Sequence, residues 1–112
     1  MNWQSLNNLI NKSNNIVLST HVNPDGDGLG SQLGLYYYLL HIGKNCSIIN
    51  TSPLPKHYAF LDPDNIIEEF SNELHSNIFK NCDMLIALDI GDYRRMNDIV
   101  TQINNNNIYT VS

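Results

Sequence analysis

Ile16-Val17-Leu18-Ser19-Thr20-His21-Val22-Asn23-Pro24-Asp25-Gly26-Asp27-Gly28-Leu29-Gly30-Ser31 carries a β-rich apolar run directly into a loop of one histidine, two carboxylates and small residues. Residues 16–20 read as a buried strand, because the run is short and rich in branched apolar side chains. Pro24 and Gly26 then predict a tight turn, in which Asp25 and Asp27 converge near His21. Converging carboxylates repel unless they share a proton or a cation, and a cation is the simpler resolution for this cluster. Imidazole and carboxylate donors without thiolate point to Mn²⁺, with Mg²⁺ or Fe²⁺ as alternatives and Zn²⁺ less favoured. Gly28-Leu29-Gly30-Ser31 opens a helix, and small residues at a helix start let a phosphate approach the backbone N–H groups. Metal ligands beside an anion cradle suggest phosphate chemistry. Two ions roughly 3.5–4 Å apart can activate a water and stabilise the leaving oxygen of a phosphoester.

Working outward, helix and strand alternate. Trp3, Leu6, Leu9 and Ile10 recur at helical spacing ahead of the first strand. Residues 29–42 form a long apolar helix that Gly43 stops, and residues 46–50 a second strand. Pro53, Pro55 and Pro63 break up an irregular stretch with one helical turn near residues 57–61. Phe70, Leu74, Ile78 and Phe79 share a helical face, residues 84–88 form a third buried strand, and Met96, Ile99, Val100 and Ile103 mark a further helix. Residues 108–111 read as a fourth strand and Asn104 to Asn107 as a surface turn. The alternation predicts an α/β fold, a mostly parallel sheet with helices on both faces. In such sheets ligands bind at the carboxyl ends of strands, where strand order reverses. The first strand runs into His21, Asp25 and Asp27, and the third into Asp89 and Asp92. Asp89 follows the apolar run directly and is the favoured bridging ligand. Asp92 suits the N-cap of the next helix. Arg94 and Arg95 fit a substrate phosphate or a salt bridge to Asp92 equally well.

Blander readings compete. Pro-Asp-Gly-Asp is a common turn sequence on its own. A calcium loop of the EF-hand type fails, because Leu29 and Tyr36 stand where ligands belong. A dinucleotide fingerprint fails, because Ser31 replaces its last glycine and Asn50 stands where an acidic residue would hold a ribose. His41, His57 and His75 lack acidic loop neighbours and are assigned to helix surfaces or loops.

The chain has 112 residues, enough for one modest core, and is 42% hydrophobic, which excludes disorder. No apolar run approaches the roughly 20 residues of a membrane span, and residues 1–15 lack a signal-peptide layout, so a cytoplasmic protein without membrane contact is expected. A net charge of -5 argues against gripping long DNA or other long nucleic acid, but not against a small anion held through cations. Cys46 and Cys82 show no CxxC spacing and read as small apolar fillers in a reducing compartment.

His21-Val-Asn-Pro-Asp25-Gly-Asp27-Gly-Leu-Gly-Ser31 closely resembles the first motif of the DHH-family phosphoesterases, and Ala87-Leu-Asp89-Ile-Gly-Asp92 resembles their second. Within the family the chain is most similar to the bifunctional oligoribonuclease and 3′-phosphoadenosine 5′-phosphate phosphatase type. The family's pyrophosphatases usually carry Thr and Ser where Gly26 and Gly28 stand. The resemblance implies His21 and Asp25 as ligands of one Mn²⁺, Asp27 as a ligand of a second, and Asp89 as the bridge. Asp27 and Asp89 would thus take the catalytic part, with Mg²⁺ as an alternative ion. Ser31 and backbone N–H groups around Gly30 would lie near the substrate phosphate. The Asp-His-His motif that names the family is absent from these residues, as are the later Asp and the C-terminal domain. Residues 108–112 look like the strand leading into that motif, so residues 1–112 are expected to be the N-terminal portion of a larger domain.

The function expected from these features is metal-dependent hydrolysis of phosphoesters in short oligoribonucleotides or 3′-phosphoadenosine 5′-phosphate, with this chain alone inactive. The runner-up is a non-catalytic metal- or nucleotide-binding module. An interaction fragment with merely structural turns is a third reading. A homodimer is left open.

Overall fold

A computed structural model describes residues 3–20, 24–88 and 98–111. Strands β1 (Asn15–Thr20), β2 (Asn45–Asn50), β3 (Ile67–Glu69), β4 (Met84–Leu88) and β5 (Tyr109–Val111) alternate with helices α1 (Trp3–Lys12), α2 (Gly26–His41), α3 (Asn72–Lys80) and α4 (Asp98–Asn106). A 3-10 helix, Lys56–Leu61, lies between β2 and β3. All strand pairs are parallel, in the order β3-β2-β1-β4-β5. The chain therefore winds from β1 towards one edge, then returns across β1 to build the other. That reversal puts the switch point between the carboxyl ends of β1 and β4.

The apolar strands divide their side chains by the two-residue period of a pleated sheet. Ile16, Leu18, Ile48, Met84 and Ile86 pack with Ile10 of α1 and Leu29, Leu33 and Leu39 of α2. Val17, Ile49, Leu85 and Ala87 pack on the opposite face with Phe79 of α3 and Ile99 and Ile103 of α4. Strands buried on both sides must be apolar throughout, which is why β4 reads Met-Leu-Ile-Ala-Leu. Cys46 joins the first cluster and Cys82 the second, both as free thiols. Burial, the main cause in each case, pushes the Cys46 thiol up to about 12 and the Cys82 thiol up to about 11.

Polar groups fix the amino ends of the strands. Asp83, just before β4, accepts hydrogen bonds from the N–H groups of Asn14 (2.7 Å) and Asn15 (3.0 Å). These two bonds, Asn14 first, hold the Asp83 carboxyl below the usual carboxylate value. At the far end of α2, Gly43 takes φ +85, with its N–H bonded to Leu40 and that of Lys44 to Leu39. This is the glycine helix stop expected at that position.

The structure corrects several expectations. Helix α2 starts at Gly26 instead of residue 29, so Gly26 belongs to a helix and not to a tight turn. Strand β3 was not expected; its three residues are too few for a readable alternation. Leu74 is 71% exposed, and His75 takes the inward position at 1% exposure. His75 is therefore not a surface or loop residue. Its Nδ1 accepts from the Ser71 N–H at 2.9 Å, and Nε2 meets Glu68 of β3 at 3.3 Å. Asn104, Asn105 and Asn106 end α4 instead of forming a turn, and only Asn107 turns, with φ 53. There the Ile108 N–H closes onto Ile103, and both side chains enter the second cluster. The expected helix residue Met96 lies outside the described residues.

Candidate active site

The first half of the site is a helix start. Asp25 has extended backbone angles and its Oδ1 accepts from the Gly28 N–H at 2.8 Å, which makes it the N-cap of α2. Its carbonyl begins the helical ladder by accepting from Leu29 at 3.0 Å. Glycines at 26, 28 and 30 are poor helix formers, so this cap and the burial of Leu29, Gln32 and Leu33 must set where the helix begins. Asp27 falls in the first turn, where the helix dipole favours a negative side chain.

The second half is the end of β4. The Thr20 hydroxyl donates to the Leu88 carbonyl at 2.7 Å, fastening the last residues of β1 and β4 together. These residues also pair in register. A cleft of about 330 Å³ opens there, lined by Asp25, Asp27, Gly28, Ser31 and Leu88. It sits at the switch point that the strand order defines.

Of the expected site residues, the structure brings Asp25, Asp27 and Ser31 to one cleft. Gly30 does not line it. In an α-helix beginning at Gly26, the N–H groups of Gly30 and Ser31 belong to the ladder, so an anion would meet the Ser31 hydroxyl and the N–H groups of Gly26 and Asp27. His21, Asp89, Asp92, Arg94 and Arg95 lie outside the described residues. Asp89 directly follows Leu88, which lines the cleft, and His21 directly follows Thr20. No group of three or more metal-binding side chains occurs among the described residues. Two hard carboxylates at one cleft, neither paired to Lys or Arg among the described residues, fit a hard divalent cation by donor chemistry.

Sequence reading missed three supports. The Thr20 latch is hidden because its partner is a backbone carbonyl. Gln32 of α2 and Asn50 of β2 exchange two amide hydrogen bonds of 2.7 and 3.0 Å, both residues being buried. Tyr58 lies against Gly26; a Cβ at Gly26 would stand 3.2 Å from the Tyr58 ring. Long-range pairs of this kind leave no periodic signal. No helix among the described residues is long and apolar enough to cross a membrane.

Comparison with known proteins bears on the family and the fold. Over 53 residues the chain is 43% identical to the bifunctional oligoribonuclease and PAP phosphatase NrnA of Thermus thermophilus. That alignment spans 43% of this chain and 16% of the relative. The fold superposes with a TM-score of 0.85 on the crystal structure of an exopolyphosphatase-related protein from Bacteroides fragilis, at 22% identity. That match covers 96% of this chain and 32% of the neighbour, so the chain spans well under half of either protein. The N-terminal domain of the DHH family matches residues 15–111, from the first residue of β1 to the last of β5, and on that match this chain belongs to the DHH family.

Proposed function

We propose that this chain supplies part of the dinuclear metal site of a phosphoesterase that hydrolyses short oligoribonucleotides, 3′-phosphoadenosine 5′-phosphate or both. The observation that carries this reading is the cleft in which Asp25, Asp27 and Ser31 meet Leu88, the residue before Asp89, at the switch point of the sheet. Support for the substrate class comes from the relative in Thermus thermophilus, whose name gives oligoribonuclease and PAP phosphatase activities.

In this reading His21 and Asp25 would hold one divalent ion, Asp27 would hold a second, and Asp89 would serve both. Mn²⁺ suits the mixed imidazole and carboxylate donors, with Mg²⁺ as the alternative. Such a pair supplies a water activated at neutral pH and positive charge for the leaving oxygen. The chain's own residues do the rest. Asp25 is oriented by its cap: one oxygen accepts from the Gly28 N–H at 2.8 Å, which restrains the side chain at the start of α2. The Ser31 hydroxyl, one turn further along α2 and lining the same cleft, would donate to a phosphate oxygen. The helix N-terminus attracts anions, but Asp25 and Asp27 stand there, and bound cations would offset their charge towards a phosphate.

A binding module without turnover is favoured by one observation, the ligand count. Within these residues the second ion has only Asp27 and Asp89. The chain alone should therefore bind about one Mn²⁺ tightly and hydrolyse near background. A cytoplasmic setting, short substrates in preference to long DNA, and an optional homodimer belong to the same proposal.

The test is Mn²⁺ titration by calorimetry and paramagnetic resonance, on the parent, Asp25→Asn and Asp89→Asn. Hydrolysis of diadenylate is then compared between this chain and a form continuing through an Asp-His-His motif. Strong loss of Mn²⁺ binding in both variants is expected, with turnover only in the longer form. Unchanged binding in both variants sinks the reading.

A further inference from the structure

Resting on that reading, we infer that the 3-10 helix Lys56–Leu61 is the wall of the site that receives the nucleobase, with Phe60 as its stacking surface. The segment follows β2 and so emerges at the same carboxyl edge of the sheet as the acidic cleft. It is tied to that cleft by contact. The Tyr58 ring packs so closely on Gly26 that a Cβ there would lie 3.2 Å from Cε1 and 3.6 Å from the phenol oxygen. Gly26 stands between Asp25 and Asp27, so the segment abuts the stretch of backbone that carries both carboxylates.

A 3-10 helix repeats every three residues. Tyr58 and Leu61 thus share one face, and both pack against the first core cluster. His57 and Phe60 share another, and both are exposed. Phe60 is 76% exposed, the largest exposure of any large apolar side chain among the described residues. The His57 ring meets that of Tyr58 with centroids 4.2 Å apart and planes tilted by 42°, joining the exposed face to the packed one. Both ends are anchored: Tyr58 N–H bonds to Pro55, and the buried Asp62 carboxylate accepts from Ile66 (2.8 Å) and Ile67 (2.7 Å). An aromatic held outward on an anchored turn loses little conformational freedom on binding. Lys56 adds a local positive charge to a chain of net charge -5. An exposed phenyl and imidazole with a nearby lysine, on a segment that touches Gly26 through Tyr58, is chemistry that stacks a base and tolerates its sequence.

Isothermal titration of the Mn²⁺-loaded chain with adenosine 5′-monophosphate and with ribose 5-phosphate separates the base contribution from the phosphate contribution. The parent should prefer the adenosine ligand. Phe60→Ala should weaken that ligand about tenfold, the scale of one stacked base, and leave ribose 5-phosphate unchanged. Leu74→Ala, equally exposed on α3, serves as the control and should change neither. Equal affinity of the parent for the two ligands, equal loss of both in Phe60→Ala, or a matching loss in Leu74→Ala overturns the inference and leaves the metal–phosphate reading standing. Failure of the parent to bind either ligand with Mn²⁺ overturns both.

Discussion

Gln32 and Asn50 face each other through paired side-chain amides, each donating to the other's oxygen, in a part of the core closed to water. The pair pins α2, whose first turn carries Asp25 and Asp27, to the end of β2. Replacing one partner strands the other. Asn50→Leu should cost about 1–3 kcal/mol, the penalty of an unsatisfied buried polar group. Replacing both, as Asn50→Leu with Gln32→Met, should recover much of that loss. Urea unfolding of the four proteins in the cycle measures this, and simple additivity of the two losses counts against it.

Asp25 has two tasks that substitution can separate. Asparagine and serine cap helices about as well as aspartate. Asp25→Asn and Asp25→Ser should therefore keep near-parent stability while losing Mn²⁺ affinity. Asp25→Ala should lose both, with a stability cost of about 1 kcal/mol. Thermal melts without metal, set beside Mn²⁺ titrations, give the two readouts. Equal melting of all three variants would remove the capping role.

The Asp83 bridge to the amino ends of β1 makes stability pH-dependent. Its folded-state pKa lies below the ordinary 3.8, so the unfolded chain takes up the proton first as acid is added. The stabilisation is thus complete above the unfolded value and fades as pH falls through the folded one. Asp83→Asn should lower the urea midpoint at pH 7, and the gap from the parent should close below about pH 4. A gap that persists unchanged into acid would assign the effect to packing.

The thiols give the opposite limb. Burial pushes Cys46 up to about 12 and Cys82 up to about 11, against an ordinary 9.0. Below the ordinary value both states are protonated and stability is unaffected. Above it the unfolded chain ionises first, so stability falls as pH rises past 9.0 towards these folded values. At pH 8 iodoacetamide should label the native protein slowly and the urea-unfolded chain quickly. Rapid labelling of the native form would show that the thiols are not held as described.

Much of this fold is legible because buried parallel strands cannot hide: residues 16–18, 48–49 and 84–87 are apolar on both faces. Asp25 and Asp27, which line the cleft, were legible for a related reason, since an acidic loop follows where the buried strand β1 stops. The start of α2 was not, because three glycines mimic a turn and only the Asp25 cap reveals a helix. His75 was misplaced because periodicity offered Leu74 for the same helix face, and the deciding bonds to Ser71 and Glu68 are tertiary. Tyr58 could not be joined to Gly26 by any local rule.

The Thr20–Leu88 latch spans 68 residues of chain. Pairing β1 with β2 closes a much shorter loop than pairing β1 with β4, and long-range parallel pairing is slow. The cleft should therefore come into being late in folding, after its acidic loop has long been made. An early intermediate would carry Asp25 and Asp27 without the strand end that leads to Asp89, and would hold metal poorly. Mn²⁺ would then act as a lock on the finished protein and not as a seed for it. In stopped-flow experiments it should slow unfolding while leaving the refolding rate nearly unchanged.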